Sequence, residues 1–481
     1  MVSMTEPGFT ISVSQNKYLA LDRREMHAAI NVTGSGLGQK PGPDAVGPRA
    51  AEVILVDCSG SMDYPPTKIS AARRATRAAI DVLRDGVLFG VVAGTARAQL
   101  AYPAKPPLVP ASAATRAAAK VVVDRLLANG GTAIGAWLTM ADDLLAGHPT
   151  AIRHALLFTD GQNKERPGEL SRVLDQVRGR FVCDVRGIGE DWEPAELLRI
   201  AATLNGQAIG VARLTDMADD FESLMRDVMR KVVPDVDLRI RLINRARLTY
   251  FKQLFPTDVD LTGELTHSNE LDIRLPTGSW ADETREYQIG IDVAPIGTDL
   301  DVDQDALIAK VDLEIRRGDT VGAEKVQPGR VFVRWTADAT RYTRVDEVIA
   351  TYNGQRRIAE AIREGCDAYD AGQWEIAKAR FTTAHNLATQ SGNADMLGRL
   401  DPLVTIVDGK VELRRNIRLT DLKVAQLNSH QSTLRRQGSQ PPAPSAPGAP
   451  KTCAVCGLPN RAEARWCEGC AHSFTDGEQR S

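Results

Sequence analysis

Five oxygen-bearing side chains are spaced as a metal site would require. The run VDCSGSM sets Asp57, Ser59 and Ser61 on one short loop. Thr132 follows the pair Gly130-Gly131, and Asp160 stands before Gly161 at the end of IRHALLF. All five donors are hard oxygens, with no thiolate or imidazole among them, and such a set selects Mg²⁺, or else Mn²⁺ or Ca²⁺. Two are carboxylates and three are neutral hydroxyls, so the ion is expected to keep an open position. A Glu or Asp carboxylate from a protein partner would fill it. An isolated D-x-S-x-S is more often a turn and helix cap. Here three separate segments agree, which an isolated cap would not produce.

A second set lies near the C-terminus. Cys453, Cys456, Cys467 and Cys470 form C-x2-C-x10-C-x2-C. Each C-x2-C knuckle aims two thiolates at one ion, and four thiolates suit tetrahedral Zn²⁺ in a closed, structural site. So short a segment lacks an apolar core, so the metal would supply much of its stability. The other three cysteines, Cys58, Cys183 and Cys366, are scattered and read as small buried hydrophobes.

The elements that position these groups follow from periodicity. The chain has 481 residues, which at ~100–200 per domain implies three or four domains. From AEVILVD (51–57) to about 232, continuous apolar runs alternate with helical segments. That pattern is a mostly parallel sheet covered on both faces. In such sheets ligands bind beyond the carboxyl ends of the strands, where Asp57 and Asp160 fall. After Pro234 the period changes to two. Val236, Leu238, Ile240 and Leu242 share one face, and so do Leu307, Ala309, Val311, Leu313 and Ile315. This predicts an antiparallel β-sandwich with one wet face. The short strands at 9–33 cannot bury themselves, so they are expected to join that sandwich.

The expected organisation is therefore multidomain. Residues 1–46 hold strands of the sandwich, 47–234 a doubly wound, Rossmann-like α/β domain inserted in it, and 235–341 the remaining sandwich. A helical hairpin follows at 342–400, with Gly365, Ala377, Phe381 and Ala384 in packing slots like those of a single tetratricopeptide-type unit. A basic segment (401–436), a Pro/Ala/Ser linker (437–450) and the zinc ribbon (451–481) complete the chain.

The α/β region resembles the von Willebrand factor A (vWA) family. Asp57, Ser59, Ser61, Thr132 and Asp160-Gly161 match every position of that family's metal-ion-dependent adhesion motif, over roughly 47–234. The resemblance implies that Ser59, Ser61 and often Thr132 touch the ion directly, and that Asp57 and Asp160 act mostly through water. The whole arrangement is similar to bacterial vWA proteins with trailing zinc ribbons. By analogy, that similarity points to signalling with Ser/Thr kinases, phosphatases and phosphothreonine-binding proteins.

Other features point away from rival classes. A net charge of −3 gives no overall pull toward nucleic acid or anionic membrane. The Lys/Arg excess of 410–436 lacks interleaved aromatics and reads as a solvated face. No run approaches the ~20 apolar residues of a membrane span, and the N-terminus lacks a signal-peptide pattern, so the cytoplasm is the expected compartment. Asp299, Asp301, Asp303 and Asp305 imitate a calcium loop, but Lys310 stands where a bidentate Glu belongs. No H-E-x-x-H, G-x-S-x-G or phosphate-binding loop is present. The expectation is a non-enzymatic, metal-dependent protein-binding protein. The alternatives are a vWA subunit of a chelatase-like, ATP-driven complex and a nucleic-acid-associated factor acting through the ribbon.

Overall fold

The computed structural model describes residues 8–38, 50–243, 245–294, 302–317, 320–323, 326–343, 347–433, 451–452 and 459–460. Met1–Thr433 and Leu434–Ser481 form two separate units. In the second, Lys451–Thr452 pairs antiparallel with Pro459–Asn460. The four ribbon cysteines lie outside the described residues.

Three strands open the first unit: β1 (Gly8–Gln15), β2 (Tyr18–Ala20) and β3 (Glu25–Ser35). The α/β region then runs β4 (Ala50–Asp57), α1 (Thr67–Val82), β5 (Leu88–Gly94), β6 (Ala98–Tyr102), β7 (Val109–Pro110), α2 (Ala113–Val123) and α3 (Ile134–Ala146). It continues with β8 (Ile152–Thr159), α4 (Glu169–Val177), β9 (Val182–Ile188), α5 (Pro194–Thr203), β10 (Ala208–Val211) and α6 (Met217–Met229). The sheet order is β10-β9-β8-β4-β5-β6, parallel from β10 to β5, with β6 antiparallel at one edge. β4 is buried along its whole length because helices cover both faces. On one face Ala72, Ala79, Phe221 and Met225 pack, and on the other Trp137, Leu138, Leu174 and Ile200. Chain order diverges around β4, toward β5 on one side and β8 on the other, and this is the switch point where ligands bind in open α/β sheets.

The sandwich elements follow: β11 (Asp235–Leu242), β12 (Ala246–Phe255), β13 (Val259–Asp260), β14 (Thr266–Asn269), β15 (Asp272–Pro276), β16 (Thr284–Val293), β17 (Ala306–Arg317), β18 (Thr320–Ala323) and β19 (Gly329–Thr336). One sheet has the order β1-β3-β16-β12-β13, and the other β14-β15-β11-β17-β19-β2 with β18 on β17. β3 pairs with β16 from Thr33↔Thr284 to Glu25↔Asp292. Ile30 and Val32 pack in one core with Leu238, Ile240, Ile289 and Val311.

Two details depart from strict alternation. A register shift between Leu307 and Ala309 turns Leu307 outward and buries Ile308 with Ala309, because a bulge places two residues against one. The outer face of the first sheet is also not wholly wet. Gln288 is buried there, beside a crevice lined by Tyr352 and Gln355.

Those last two residues belong to the helical part: α7 (Ala339–Tyr342), α8 (Glu347–Asp370), α9 (Trp374–Gln390) and α10 (Ala394–Leu400), then β20 (Val404–Val407), β21 (Lys410–Leu413) and α11 (Leu419–Asn428). A Cβ at Gly365 would strike the Phe381 ring, so α8 and α9 approach closely there. Ala377, Phe381 and Ala384 are fully buried.

Residues 401–433 are a solvated basic face on one side, where Lys410, Arg414, Arg415 and Arg418 are exposed, but they also bury an apolar side. Val411, Leu422 and Ala425 enter the helical core, and Leu427 enters the α/β core. Arg414 donates to the carbonyls of Asp401 and Val404, Lys423 to that of Trp192, and Arg418 pairs with Asp421. These charges cap backbone groups and flank an apolar seam, which a count of Lys and Arg does not reveal.

Candidate metal centre

The five predicted donors meet at the carboxyl edge of β4 and β8. β4 ends on Asp57, and a 3-10 turn (Gly60–Asp63) then leads toward α1. Asp57 Oδ1 accepts from the Ser59 amide at 2.8 Å, and Oδ2 accepts from the Thr159 hydroxyl at 2.6 Å. Ser59 Oγ and Ser61 Oγ are 2.9 Å apart, and the Ser61 hydroxyl donates to Asp160 Oδ1 at 2.5 Å. A Cβ on Gly161 would lie 3.4 Å from both Ser61 Oγ and Thr132 Oγ1. The third hydroxyl therefore faces the same small space. Asp57, Ser59, Thr132 and Asp160 are all buried.

Backbone contacts hold the three loops together. The Gly60 amide donates to Gly130 O at 2.9 Å, and the Asn129 amide to Cys58 O at 2.7 Å. Gly130 has φ +95°, which favours glycine. The Lys164 amide donates to Thr132 O at 2.7 Å, tying the loop after Asp160 to the threonine. α3 has no side-chain cap of its own. Its first amides are satisfied from that same loop: Asn163 Oδ1 accepts from Ile134, and Glu165 accepts from Gly135 and Ala136. The helix carrying Thr132 at its mouth is thus fastened to the loop carrying Asp160.

Burial pushes the Asp57 carboxyl up to about 6, against the hydrogen bonds from Ser59 and Thr159 that favour its ionised form. A buried acid with that tendency is stabilised as an anion by a cation. Burial also raises the Cys58 thiol to about 12, which disfavours its thiolate.

Two residues of the site escaped the sequence reading. Thr159 is the polar end of the apolar run Ala155–Phe158 in β8. Lys68 lies near the start of α1, and its ammonium is 2.7 Å from Asp160 Oδ2 and 3.4 Å from Ser61 O. The signal for Lys68 was weak: a cation in a first helical turn, where the helix dipole disfavours it. The calcium-like run is not assembled as a site among the described residues. Asp305 is spent on Lys17 and Arg334, each at 2.7 Å, and Asp299 and Asp301 lie outside the described residues. The donor set around Asp57 suits a hard divalent cation, with three hydroxyls and two carboxylates around one space.

The von Willebrand factor type A domain family matches residues 51–209. A von Willebrand factor type A protein from Catenulispora acidiphila is 37% identical and superposes with a TM-score of 0.81, over 90% of this chain and 98% of its own. The chain therefore belongs to the von Willebrand factor type A family. The ArnB paralog VWA2 from Sulfolobus acidocaldarius shares the fold at 13% identity, with a TM-score of 0.53 over 89% of this chain and 99% of its own. A comparison with curated proteins finds no match. Among the described residues, no helix is long and apolar enough to cross a membrane.

Proposed function

We propose that the chain is a non-enzymatic adaptor whose vWA domain, inserted in the sandwich, grips a protein partner through a divalent ion. Asp57, Ser59, Ser61, Thr132 and Asp160 would hold Mg²⁺, or Mn²⁺ or Ca²⁺, and a Glu or Asp carboxylate of the partner would complete its coordination. The observation that carries this reading is the meeting of three hydroxyls and two buried carboxylates at the switch point of the sheet. Ser59, Ser61 and Thr132 would contact the ion, while Asp57 and Asp160 orient its waters and balance its charge. The ion's chemistry is that of a Lewis acid toward one carboxylate, and the reading requires no bond to be made or broken.

Cys453, Cys456, Cys467 and Cys470 would form a structural zinc ribbon offering a second contact, which zinc analysis per chain tests. A cytoplasmic role beside Ser/Thr kinases and phosphatases is the pathway this reading favours. The nucleic-acid alternative is less favoured because the exposed Arg418 is already paired with Asp421 and Lys423 is bonded to the Trp192 carbonyl.

The test is capture of the partner by full-length protein in Mg²⁺, in excess EDTA, and with Asp57→Ala. Capture should be lost in the second and third cases. Undiminished capture in both would place recognition on another surface.

A further inference from the structure

We propose that Lys68 is a built-in counter-cation of the metal centre, which weakens the site's hold on its ion and leaves the loaded site positively charged. This rests on the metal reading above. Lys68 lies in the first turn of α1, the end of a helix where a positive charge is disfavoured. Its side chain is only 11% exposed, and that of Asp160 not at all. Such a placement needs a strong partner, and Asp160 Oδ2 provides it at 2.7 Å. The space is kept open for it. Gly189 has φ +75°, and a Cβ there would crowd Lys68 Cε at 3.2 Å.

The ammonium does two things. It takes Oδ2 of Asp160 and so turns Oδ1 toward Ser61, where the hydroxyl meets it. Lys68 is in this sense a positioning residue. It also changes the charge balance. Asp57 and Asp160 alone would cancel a divalent ion and leave no electrostatic pull on an outside carboxylate. With Lys68 the charged groups around the ion carry two negative charges and one positive, so a loaded site has one positive charge in excess. One partner carboxylate neutralises it. Asp191, 4.0 Å from Lys68, is 66% exposed and solvent screens it. The same excess charge opposes the metal, so metal affinity is exchanged for carboxylate affinity.

The test is titration of full-length protein with Mg²⁺ and with Tb³⁺, in the wild type and in Lys68→Met, Lys68→Gln and Lys68→Arg. Both neutral variants should bind Mg²⁺ at least about tenfold more tightly, from loss of a unit charge at ion-pair range. Lys68→Arg should stay within about threefold of the wild type. The gain should be larger for Tb³⁺, since Coulomb energy scales with ion charge. A merely structural lysine would give the reverse, with weaker binding in all variants. If a neutral variant loses its fold in EDTA, Mg²⁺ should restore it, and failure to do so overturns the proposal. Equal affinities in the wild type and the neutral variants would remove the role of Lys68 alone. Absence of binding in every form would remove the metal reading and Lys68 with it.

Discussion

Asp57 shows how one residue of this site depends on others. Its two oxygens are divided between a backbone amide two residues on and the hydroxyl of Thr159. The Thr159 hydroxyl also accepts from the Gly161 amide at 3.1 Å, so it joins Asp57 to the turn after Asp160. Outer groups of this kind orient the ligands of a metal and tune its affinity. Thr159→Val keeps the shape and removes the hydroxyl. We expect Mg²⁺ affinity to fall about tenfold to a hundredfold, with little change in far-UV circular dichroism. Titration calorimetry measures the first, and an unchanged affinity would show that Thr159 merely fills space.

At the scale of elements, α11 decides how the parts of the first unit are joined. β10 ends the parallel sheet, and its outer edge would otherwise present unpaired backbone groups. Asn428 covers that edge, its carbonyl accepting from the Gly210 amide at 2.8 Å and its amide donating to Gly210 O at 3.1 Å. Gln431 adds a bond to Ala208 O at 3.0 Å. The following residues reach the sandwich, where the Ser432 amide donates to Pro256 O at 2.8 Å and the Asp258 amide to His430 O at 2.6 Å. At its other end α11 touches the loop after β9, with Thr420 3.0 Å from Glu190 and Lys423 bonded to Trp192 O at 2.7 Å. That loop begins at Gly189, beside Lys68 and Asp160. Asn428→Ala should cost about 1–3 kcal/mol, the cost of stranding a buried backbone pair. Chemical denaturation measures it, and a loss within experimental error would mean that water replaces the side chain.

Across the whole molecule, the stability of the α/β sheet rests partly on charge buried away from the candidate metal centre. Glu52, His154 and Asp184 lie on three adjacent strands and are all buried. His154 Nδ1 is 2.8 Å from Glu52 Oε2, and Nε2 is 3.0 Å from Asp184 Oδ2. Burial by itself would depress the imidazolium, but the Glu52 charge and the hydrogen bonds to both acids outweigh it and push His154 up to about 10. In the unfolded chain a histidine releases its proton near 6.5. Between those values the folded state binds more protons, so this contribution is full below about 6.5 and is lost as pH rises toward about 10. The midpoint of thermal unfolding should therefore fall from pH 7 to pH 10, and fall less in His154→Gln. That variant should also be destabilised by about 3–5 kcal/mol at pH 7, because two carboxylates remain buried without their cation. Parallel pH profiles in the two proteins would show that the triad is not an ion cluster.

Part of this protein could be read before its fold was known. The five candidate donors were visible because hard oxygens at a strand end, a helix mouth and a second strand end are marked by residue type, and because the strand and helix periods around them are local. The α/β order and the β-period after Pro234 came from the same short-range physics. Strict alternation failed at Leu307, where a bulge breaks the period of two. Lys68 and Asp160 stand 92 positions apart, and Thr159 and Asp57 102 apart. No spacing rule connects such pairs, since only the sheet order and the packing of α1 against it make them neighbours. The basic run was legible from its charges as a solvated face, and Arg414, Arg415 and Arg418 are exposed, but its apolar side and Lys423 became a clamp. Whether a lysine caps a carbonyl or faces water depends on what packs against it, and only the tertiary structure settles that.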